Sequence, residues 1–393
     1  MRDVAIVGAG PAGARAAHAL ACRGVRVTIF DGSHPREKPC GGGVTGRALA
    51  LVADAIDVTA FPHTPIRSAR FTRLRGSAAS ARQPGPAFTE AIVPLDDDAL
   101  VVTSRASFDA ALLDAAARAG ATLVRSRATD VSADASGATI TTAAGTHRAS
   151  YVIGADGANS LVRRRLATAF RRDQLSIATG FFAHGVTSDE IVIELTPDPP
   201  GYIWSFPRPG HLAIGICAQA DAGITATALR ARTAAWIAAT RIAAGATLEP
   251  YAWPIPSLSA RDFDALELAG PRWALIGDAA GLVDPITREG IFFALASGDW
   301  IAEALMSGDT ARTYAARVQD GAARELARAA RLKAGFFQPA FTGLMMHALM
   351  ESAAIRAVMA DLVAGRQSYA GLKWRLMKTF EIGLAWRVLT TND

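Results

Sequence analysis

The amino-acid sequence predicts a mixed α/β (α+β) fold with three parts: a discontinuous Rossmann-like domain, an inserted domain built on an antiparallel sheet, and a C-terminal helical region. Three observations predict this fold class. The chain opens on a strand, a glycine-rich turn, a helix and a second strand within residues 4–30. Residues 174–218 alternate as several strands, which is typical of an antiparallel sheet. From about residue 290 onward, the apolar residues have helical spacing.

The first strand–helix–strand unit is predicted from apolar runs and the residues that interrupt them. Val4–Val7 is typical of a buried strand, Pro11–Arg23 of a helix that ends at Gly24, and Val25–Phe30 of a second strand. The connecting turn reads Val7-Gly8-Ala9-Gly10-Pro11-Ala12-Gly13. In such a unit the helix N-terminus presents free N–H groups and a positive dipole end to an anion.

Each glycine of this turn has its own role in a dinucleotide-binding unit. Gly8 makes the tight turn, Gly10 lets phosphate approach the backbone, and Gly13 permits close helix–strand packing. Asp31, followed by Gly32, closes the second strand, where a carboxylate can accept hydrogen bonds from the adenosine ribose. A tight turn with no ligand remains the alternative for the glycine pattern taken alone.

The remaining elements divide the chain into domains. Strands are expected at residues 66–75 and 87–95, separated by Gln83-Pro84-Gly85-Pro86, and a helix is expected at Ser107–Gly120. Other expected elements are a helix at 226–244 and strands at Thr122–Val124, Tyr151–Ile153, 247–253 and Trp273–Ile276. We therefore expect a dinucleotide-binding domain at 1–65, 96–170 and 266–310, a substrate-binding sheet domain at 66–95 and 171–265, and a helical region at 311–393.

Two later segments resemble motifs of a known superfamily. Gly154-Ala155-Asp156-Gly157-Ala158-Asn159-Ser160 and Gly277-Asp278 resemble the Asp-Gly and Gly-Asp motifs of the para-hydroxybenzoate-hydroxylase-type FAD superfamily. The resemblance implies that Asp278 contacts the ribityl chain of FAD and that the Asp156-Gly157 turn lies near the diphosphate. It also implies that Arg105 lies near FAD, although a solvated arginine at a helix start remains the alternative.

The stretch Asp284-Pro285-Ile286-Thr287-Arg288-Glu289-Gly290-Ile291-Phe292 matches the segment that contacts the flavin ring in that superfamily. Free N–H groups of Gly290, Ile291 and Phe292 could face the N1/C2=O edge of the ring and stabilise reduced flavin. Arg288 stands where superfamily members commonly have glycine. We expect it to aid flavin reduction or bind substrate, unless it points to solvent or pairs with Glu289.

Two further segments resemble the geranylgeranyl reductase family. They are Lys38-Pro39-Cys40-Gly41-Gly42-Gly43-Val44 and Gly201-Tyr202-Ile203-Trp204-Ser205-Phe206-Pro207. Three glycines let backbone pass close to a flat ring. Tyr202 and Trp204 alternate on a strand, so both face one side and could line an apolar tunnel. Ordinary sheet core is the alternative for the aromatic pair.

The sequence therefore leads to two sets of candidate residues. The expected catalytic residues are Cys40, Tyr202, Trp204 and Arg288. The expected cofactor-binding residues are Gly8, Gly10, Ala12, Gly13, Asp31, Gly32, Cys40, Gly41, Gly42, Arg105, Asp156, Gly157, Gly277, Asp278, Gly290, Ile291 and Phe292. Cys40 lacks a dithiol partner, so it is expected beside the flavin as a mostly protonated thiol, or as a small buried core residue.

Composition and charge indicate which cellular compartment and which binding partners to expect. A net charge of +5 with only four lysines gives no dense basic tract, so nucleic-acid binding is not expected. No signal peptide precedes the first strand, and three scattered cysteines fit a reducing, cytoplasmic compartment. The uncharged stretch 334–350 is expected as buried core. Trp374 and Trp386, near basic residues, leave peripheral membrane contact open, and oligomeric state stays open as well.

Together, these expectations predict an FAD-dependent oxidoreductase that reduces carbon–carbon double bonds of an apolar prenyl substrate. NADPH or another reductant would visit transiently as electron donor, or a donor protein would replace it. An FAD-dependent aromatic monooxygenase is the alternative enzyme. A halogenase is disfavoured because halogenases need a lysine early in the substrate region. No lysine lies between Lys38 and Lys333 in this chain. A non-enzymatic flavin-binding protein is the remaining alternative. No metal is expected.

Overall fold

The computed structural model describes residues 3–74 and 88–379. It shows a mixed α/β architecture with a parallel sheet, a mainly antiparallel sheet and C-terminal helices, which confirms the predicted fold class. The Pro/Gly stretch at 83–86 and Trp386 lie outside the described residues.

A six-stranded sheet forms the core of the dinucleotide-binding part. Its strand order is β18-β19-β12-β1-β2-β8, and all neighbours are parallel except β18 and β19. Its strands are β1 (Asp3–Val7), β2 (Arg26–Phe30), β8 (Thr122–Val124), β12 (Tyr151–Gly154), β18 (Ala269–Gly270) and β19 (Trp273–Leu275). Since β1 lies between β2 and β12, the turn that follows it opens at the carboxyl edge of the sheet. Ligands of open parallel sheets bind at this edge.

This part contains the helices α1 (Pro11–Ala21), α2 (Gly46–Ala50), α3 (Arg105–Arg118) and α4 (Leu161–Leu166). Helix α1 begins at Pro11, as the sequence predicts. Helix α3 begins two residues before the predicted start, because the side chain of Ser104 caps it. Two three-stranded sheets flank the core: β3 (Gly43–Thr45), β4 (His63–Pro65) and β7 (Leu100–Thr103); and β9 (Ala128–Asp134), β10 (Gly137–Thr142) and β11 (Gly145–Ala149).

A seven-stranded sheet forms the second layer, in the order β17-β13-β16-β15-β14-β5-β6. Its strands are β5 (Ser68–Leu74), β6 (Phe88–Pro94), β13 (Leu175–His184), β14 (Ile191–Pro197), β15 (Pro200–Arg208), β16 (His211–Gln219) and β17 (Thr247–Pro256). The sheet formed by residues 174–218 is antiparallel, as predicted, and β14 adds one parallel pair with β5. These two strands come from segments that are far apart in the sequence and pair side by side in the sheet.

Helices complete the fold. In the sheet region α5 (Ala226–Thr240) ends four residues before the predicted end, because Arg241 adopts a left-handed conformation, and α6 (Ala260–Asp264) is short. The C-terminal helices are α7 (Ile291–Leu305), α8 (Thr310–Val318), α9 (Arg324–Phe336), α10 (Pro339–Glu351), α11 (Ala353–Val363) and α12 (Tyr369–Lys378). In the uncharged stretch, α10 buries Met345 and Leu349 but exposes Met350. Among the described helices, none is long and apolar enough to cross a membrane.

Candidate functional site

One cavity of about 1060 Å³ connects the parallel sheet, the seven-stranded sheet and the C-terminal helices. This volume exceeds the range of roughly 300–1,000 Å³ that is usual for a single small ligand. It gives room for a dinucleotide and part of a second molecule. All predicted site residues line the cavity except Gly13, Gly277 and Phe292.

The glycine turn after β1 is shaped by backbone contacts. Gly8 has a φ of +103°, and a β-carbon there would lie 2.4 Å from the carbonyl oxygen of Ala155. A β-carbon on Gly13 would lie 2.0 Å from the carbonyl oxygen of Gly8. Gly13 therefore acts by packing helix against strand, which explains why it does not line the cavity.

Two helix N-termini reach the cavity with unused N–H groups. Helix α1 begins after Gly10 and helix α7 after Gly290, and neither has a side-chain cap. In contrast, side chains of Ser104 and Ser160 cap α3 and α4. The uncapped N-termini at the cavity wall fit a diphosphate at α1 and an electron-rich ring edge at α7. These residues therefore fit FAD.

The acidic residues differ in what they present to the cavity. Asp278 lies 3.2 Å from the Lys38 Nζ, at the cavity wall. Asp31 accepts hydrogen bonds from the Ala9 N–H of the glycine turn and from the His34 N–H of its own loop, at 2.9 Å each. Although burial alone would raise the pKa of Asp31, the bonds from His34 lower it below the usual range. Asp31 therefore shapes the loop while remaining at the cavity wall.

Asp156 acts chiefly on the protein itself. Its carboxylate accepts hydrogen bonds from the Ser160 Oγ at 2.5 Å and from the Leu161 N–H at 2.6 Å. Burial raises its pKa above the usual value. Because these contacts hold the start of α4, the Asp156-Gly157 turn offers backbone, more than a free carboxylate, to the cavity.

Cys40 lies between the guanidinium groups of Arg105 and Arg208. We call Cys40, these two arginines, Asp109 and Glu37 the Cys40 cluster. The Sγ of Cys40 is 3.6 Å from Arg105 Nη1 and 3.4 Å from Arg208 Nη2. Burial alone would raise the pKa of Cys40, but the charges of Arg105 and Arg208 lower it. The sequence does not reveal these two cations, so the downward shift of the Cys40 pKa could not be predicted from it.

The two arginines of the Cys40 cluster are buried and paired. Arg105 is 3% exposed and donates to both carboxylate oxygens of Asp109, at 2.9 and 2.8 Å. The alternative of a solvated Arg105 is therefore excluded. Arg208 pairs with Glu37 and also donates to the carbonyl oxygens of Lys38, Cys40 and Gly41, at 3.1, 2.6 and 3.2 Å. Arg208, which sequence reasoning missed, holds the glycine loop in place.

The glycine loop packs against an aromatic side chain of the protein. A β-carbon on Gly41 would lie 2.9 Å from the ring of Phe206, and one on Gly43 would lie 3.1 Å from it. Gly42 has a φ of +85° and faces the carbonyl oxygen of Thr103. The close approach therefore involves a side chain of the protein itself, while the other side of the loop lines the cavity.

Tyr202 and Trp204 lie on one face of β15, with ring centroids 5.7 Å apart, and both line the cavity. The Tyr202 hydroxyl donates to the Thr287 carbonyl oxygen at 2.8 Å. Burial raises the pKa of Tyr202 well above its usual value. The same sheet face contributes further apolar and aromatic lining residues: Phe71, Ala178, Ile191, Ile193, Leu195, Phe206, Cys217, Trp253 and Ile255.

Arg288 lines the cavity from a left-handed backbone position, with φ +61°. Its Nη1 donates to the Ser257 Oγ at 2.5 Å. Glu289 instead accepts from the Thr45 hydroxyl at 2.8 Å and pairs with Arg47. The alternative of an Arg288–Glu289 pair is therefore excluded, because Glu289 is bound by Thr45 and Arg47.

The C-terminal helices supply the apolar end of the cavity. Phe336, Met359, Leu362 and Val363 line it, and they pack with Ile286 in one apolar cluster. These residues carry no motif, so sequence reasoning missed them; the regular apolar spacing of the helices was the only signal. The cavity thus joins a polar, glycine-rich half to an apolar half.

Comparisons with known proteins agree with this geometry. A family described as "FAD binding domain" matches residues 1–296. A menaquinone reductase of Mycolicibacterium smegmatis is 31% identical over 98% of this chain and 97% of its own length. A digeranylgeranylglycerophospholipid reductase of Methanothrix thermoacetophila is 29% identical over 86% of this chain and 88% of its own length.

Solved structures show the same fold. A geranylgeranyl bacteriochlorophyll reductase-like protein from Thermoplasma acidophilum has a TM-score of 0.78 and 24% identity, covering 96% of this chain and 99% of that one. A flavin-dependent brominase has a TM-score of 0.70 and 20% identity, covering 97% of this chain and 99% of that one. At these identities the structures establish the fold and leave the reaction open.

Proposed function

Because the chain belongs to the FAD-binding domain family and is an FAD-dependent oxidoreductase of the geranylgeranyl reductase and menaquinone reductase type, we propose that it reduces a carbon–carbon double bond of a prenyl substrate. The observation that carries this proposal is the continuity of one cavity from the uncapped helix N-termini to the apolar residues of α9 and α11. A long apolar chain fits that half of the cavity.

We propose that Gly8, Gly10 and Asp278 lie against FAD, with the N–H groups at the start of α7 beside its ring. Bound and reduced, FAD would supply a hydride for one alkene carbon, and the other carbon would receive a proton. The apolar half of the cavity would align the double bond and exclude water, so that binding energy of the tail assists the reaction.

The two side-chain candidates for the proton differ in the direction of their pKa shifts. The raised pKa of Tyr202 keeps its hydroxyl protonated, whereas the lowered pKa of Cys40 favours the thiolate. We therefore favour Tyr202 over Cys40 as the protein donor, with water as the other source. Cys40 would then act through its charge beside the cofactor.

The electron donor and membrane contact belong to this proposal as well. NADPH or a donor protein would reduce the bound flavin transiently. The exposed side chains of Trp374 and Met377 on α12, next to Lys373 and Arg375, are the surface that would contact a membrane carrying a prenyl lipid.

Product mass tests the proposed reaction. We expect reduced holoenzyme, without oxygen, to add two hydrogen atoms to geranylgeranyl diphosphate or to a prenylated quinone. Leu362→Trp should block this reaction because it fills the apolar half of the cavity, whereas Leu332→Trp, at an exposed position, serves as the matched control. Both variants should retain FAD.

A different product would contradict the proposal. Gain of one oxygen atom by the substrate, only in the presence of oxygen, would support the monooxygenase alternative. Oxygen must therefore be excluded and then restored in parallel samples.

A further inference from the structure

Arg288 and Lys333 form a pair of cations for which the proposed hydride transfer has no use. Both donate to the same buried hydroxyl, the Ser257 Oγ, at 2.5 Å from Arg288 Nη1 and 2.8 Å from Lys333 Nζ. Gln219 Oε1 accepts from Lys333 Nζ at 2.5 Å and from the Ser257 hydroxyl at 2.9 Å. We call these four residues the Ser257 cluster.

The neighbours that bind these cations are neutral. Within the described part of the chain, neither Arg288 nor Lys333 forms a salt bridge with a carboxylate at 4.0 Å or less. The Nε and Nη2 of Arg288 are buried and have no acceptor among the described residues. Buried donors without acceptors are costly, and two cations side by side repel each other. Both features favour an anionic ligand.

The Arg288 loop is held rigidly even though its backbone conformation is unfavourable. A residue with a β-carbon adopts φ +61° at an energetic cost. The Asp284 carboxylate accepts from the Ile286 and Thr287 N–H groups at 2.7 and 3.0 Å, and from the Tyr369 hydroxyl at 2.8 Å. The loop therefore fixes the guanidinium in position instead of letting it move into solvent.

Arg288 lines the cavity, and Lys333 is joined to Arg288 through the Ser257 Oγ. Lys333 precedes Phe336 by three residues on α9, so the two lie on the same helix face, and Phe336 lines the cavity. Ile286, two residues before Arg288, packs in the apolar cluster that contains Met359. A ligand with a long apolar chain and an anionic end would satisfy both surfaces at once.

We propose that Arg288 and Lys333, joined by Ser257, bind the phosphate or diphosphate group at the end of the prenyl substrate. A guanidinium and an ammonium can share phosphate oxygens, and these charge-assisted hydrogen bonds are stronger than those to a neutral group. The inference rests on the proposed alkene reduction and names its substrate class. The same phosphate chemistry is available from a soluble prenyl diphosphate or from a prenyl phospholipid.

Two substrates with identical double bonds separate the headgroup from the reaction. Geranylgeranyl diphosphate and geranylgeraniol are compared as kcat/KM with reduced holoenzyme. We expect wild-type protein to prefer the diphosphate, and Arg288→Gln and Lys333→Met each to lower that preference by about tenfold or more, the factor for losing one charge-assisted hydrogen bond. Arg288→Lys should restore part of it. Arg331→Met, exposed on the same helix, should leave the preference unchanged.

Inorganic pyrophosphate is the second probe. It should compete with geranylgeranyl diphosphate in wild-type holoenzyme and lose most of its inhibition in Arg288→Gln, with FAD content and Tm measured for each variant. A prenylated glycerophospholipid in detergent distinguishes the two phosphate sources: a preference for it over geranylgeranyl diphosphate that both variants lose would assign the lipid headgroup.

The outcomes separate this inference from the proposed function. Equal kcat/KM for diphosphate and alcohol, or a preference that neither variant changes, would overturn the anion site while alkene reduction stands. Reoxidation of the flavin by neither substrate would overturn alkene reduction. In that case, pyrophosphate binding by calorimetry that Arg288→Gln abolishes would still support the anion site, and its absence in wild-type protein would overturn it.

Discussion

The Cys40 cluster and the Ser257 cluster each contain two cations, one of which lines the same cavity, but the partners of these cations differ between the clusters. Arg105 and Arg208 have the carboxylates of Asp109 and Glu37 as partners. Arg288 and Lys333 share only the neutral Ser257. Cations matched within the protein organise a loop, whereas unmatched cations beside a cavity are available to a ligand.

The pKa directions express the same contrast. In the Cys40 cluster the cations lower the pKa of the Cys40 thiol, although burial opposes them. In the Ser257 cluster burial, followed by the charge of Arg288, lowers the pKa of Lys333 to about 7. The Cys40 cluster thus favours the anionic form of the Cys40 thiol. The Ser257 cluster disfavours the charged form of Lys333 while no anion is bound.

The largest expected effect concerns a matched cation. Arg105→Met should lower the free energy of unfolding by about 3–5 kcal/mol, because it leaves the Asp109 carboxylate buried and unpaired. Denaturant unfolding measures this. Arg148→Met, which breaks an exposed pair with Asp134, should cost less than about 1 kcal/mol. A similar small cost for Arg105→Met would show that the pair is not structural.

The second prediction concerns the unmatched lysine. Because Lys333 loses its positive charge as the pH rises through about 7, the preference for geranylgeranyl diphosphate over geranylgeraniol should fall across that range. The expected decrease is up to about tenfold. In Lys333→Met the preference should be low and flat between pH 6 and 9. A wild-type profile that is flat over the same interval would contradict the assignment.

The third prediction tests the thiolate of the matched cluster. Alkylation of Cys40 should show a pH midpoint below that of an ordinary thiol at about 8.5. Arg208→Met should raise the midpoint by about one unit or more, since it removes a positive charge 3.4 Å from the Sγ. A Cys22→Ser background removes the exposed thiol. An unchanged midpoint would mean that Arg208 does not set the charge of Cys40.

The smallest expected effect returns to the unmatched arginine. Arg288→Gly should leave the free energy of unfolding unchanged or raise it by up to about 1 kcal/mol, because glycine relieves the left-handed backbone. Thermal and denaturant unfolding measure it. Marked destabilisation would place Arg288 with the matched, structural cations.

The fold and the polar half of the cavity were predictable because local rules apply there. Gly8 and Gly13 occupy positions where a β-carbon would collide with backbone, so their spacing signals the turn directly. The apolar half was not predictable in the same way. Phe336 and Met359 meet β14 and Ile286 only through tertiary packing, and Lys333 reaches Ser257 in the same way. The spacing of these residues is that of any amphipathic helix.

Charged residues show the same limit. The pairing of Arg105 with Asp109 is a spacing that helices make visible, at i and i+4. The approach of Arg208 to Cys40, from a strand far along the chain, has no such local signal. The domain boundaries and the roles of the individual site residues stay predictions, even though many of these residues line one cavity.

The most direct test of alkene reduction is anaerobic stopped-flow absorbance of pre-reduced holoenzyme mixed with geranylgeranyl diphosphate. The account predicts that oxidised-flavin absorbance returns without oxygen, with one double bond lost per flavin oxidised. Flavin that stays reduced with every prenyl substrate, and reoxidises only when oxygen is admitted, would contradict it.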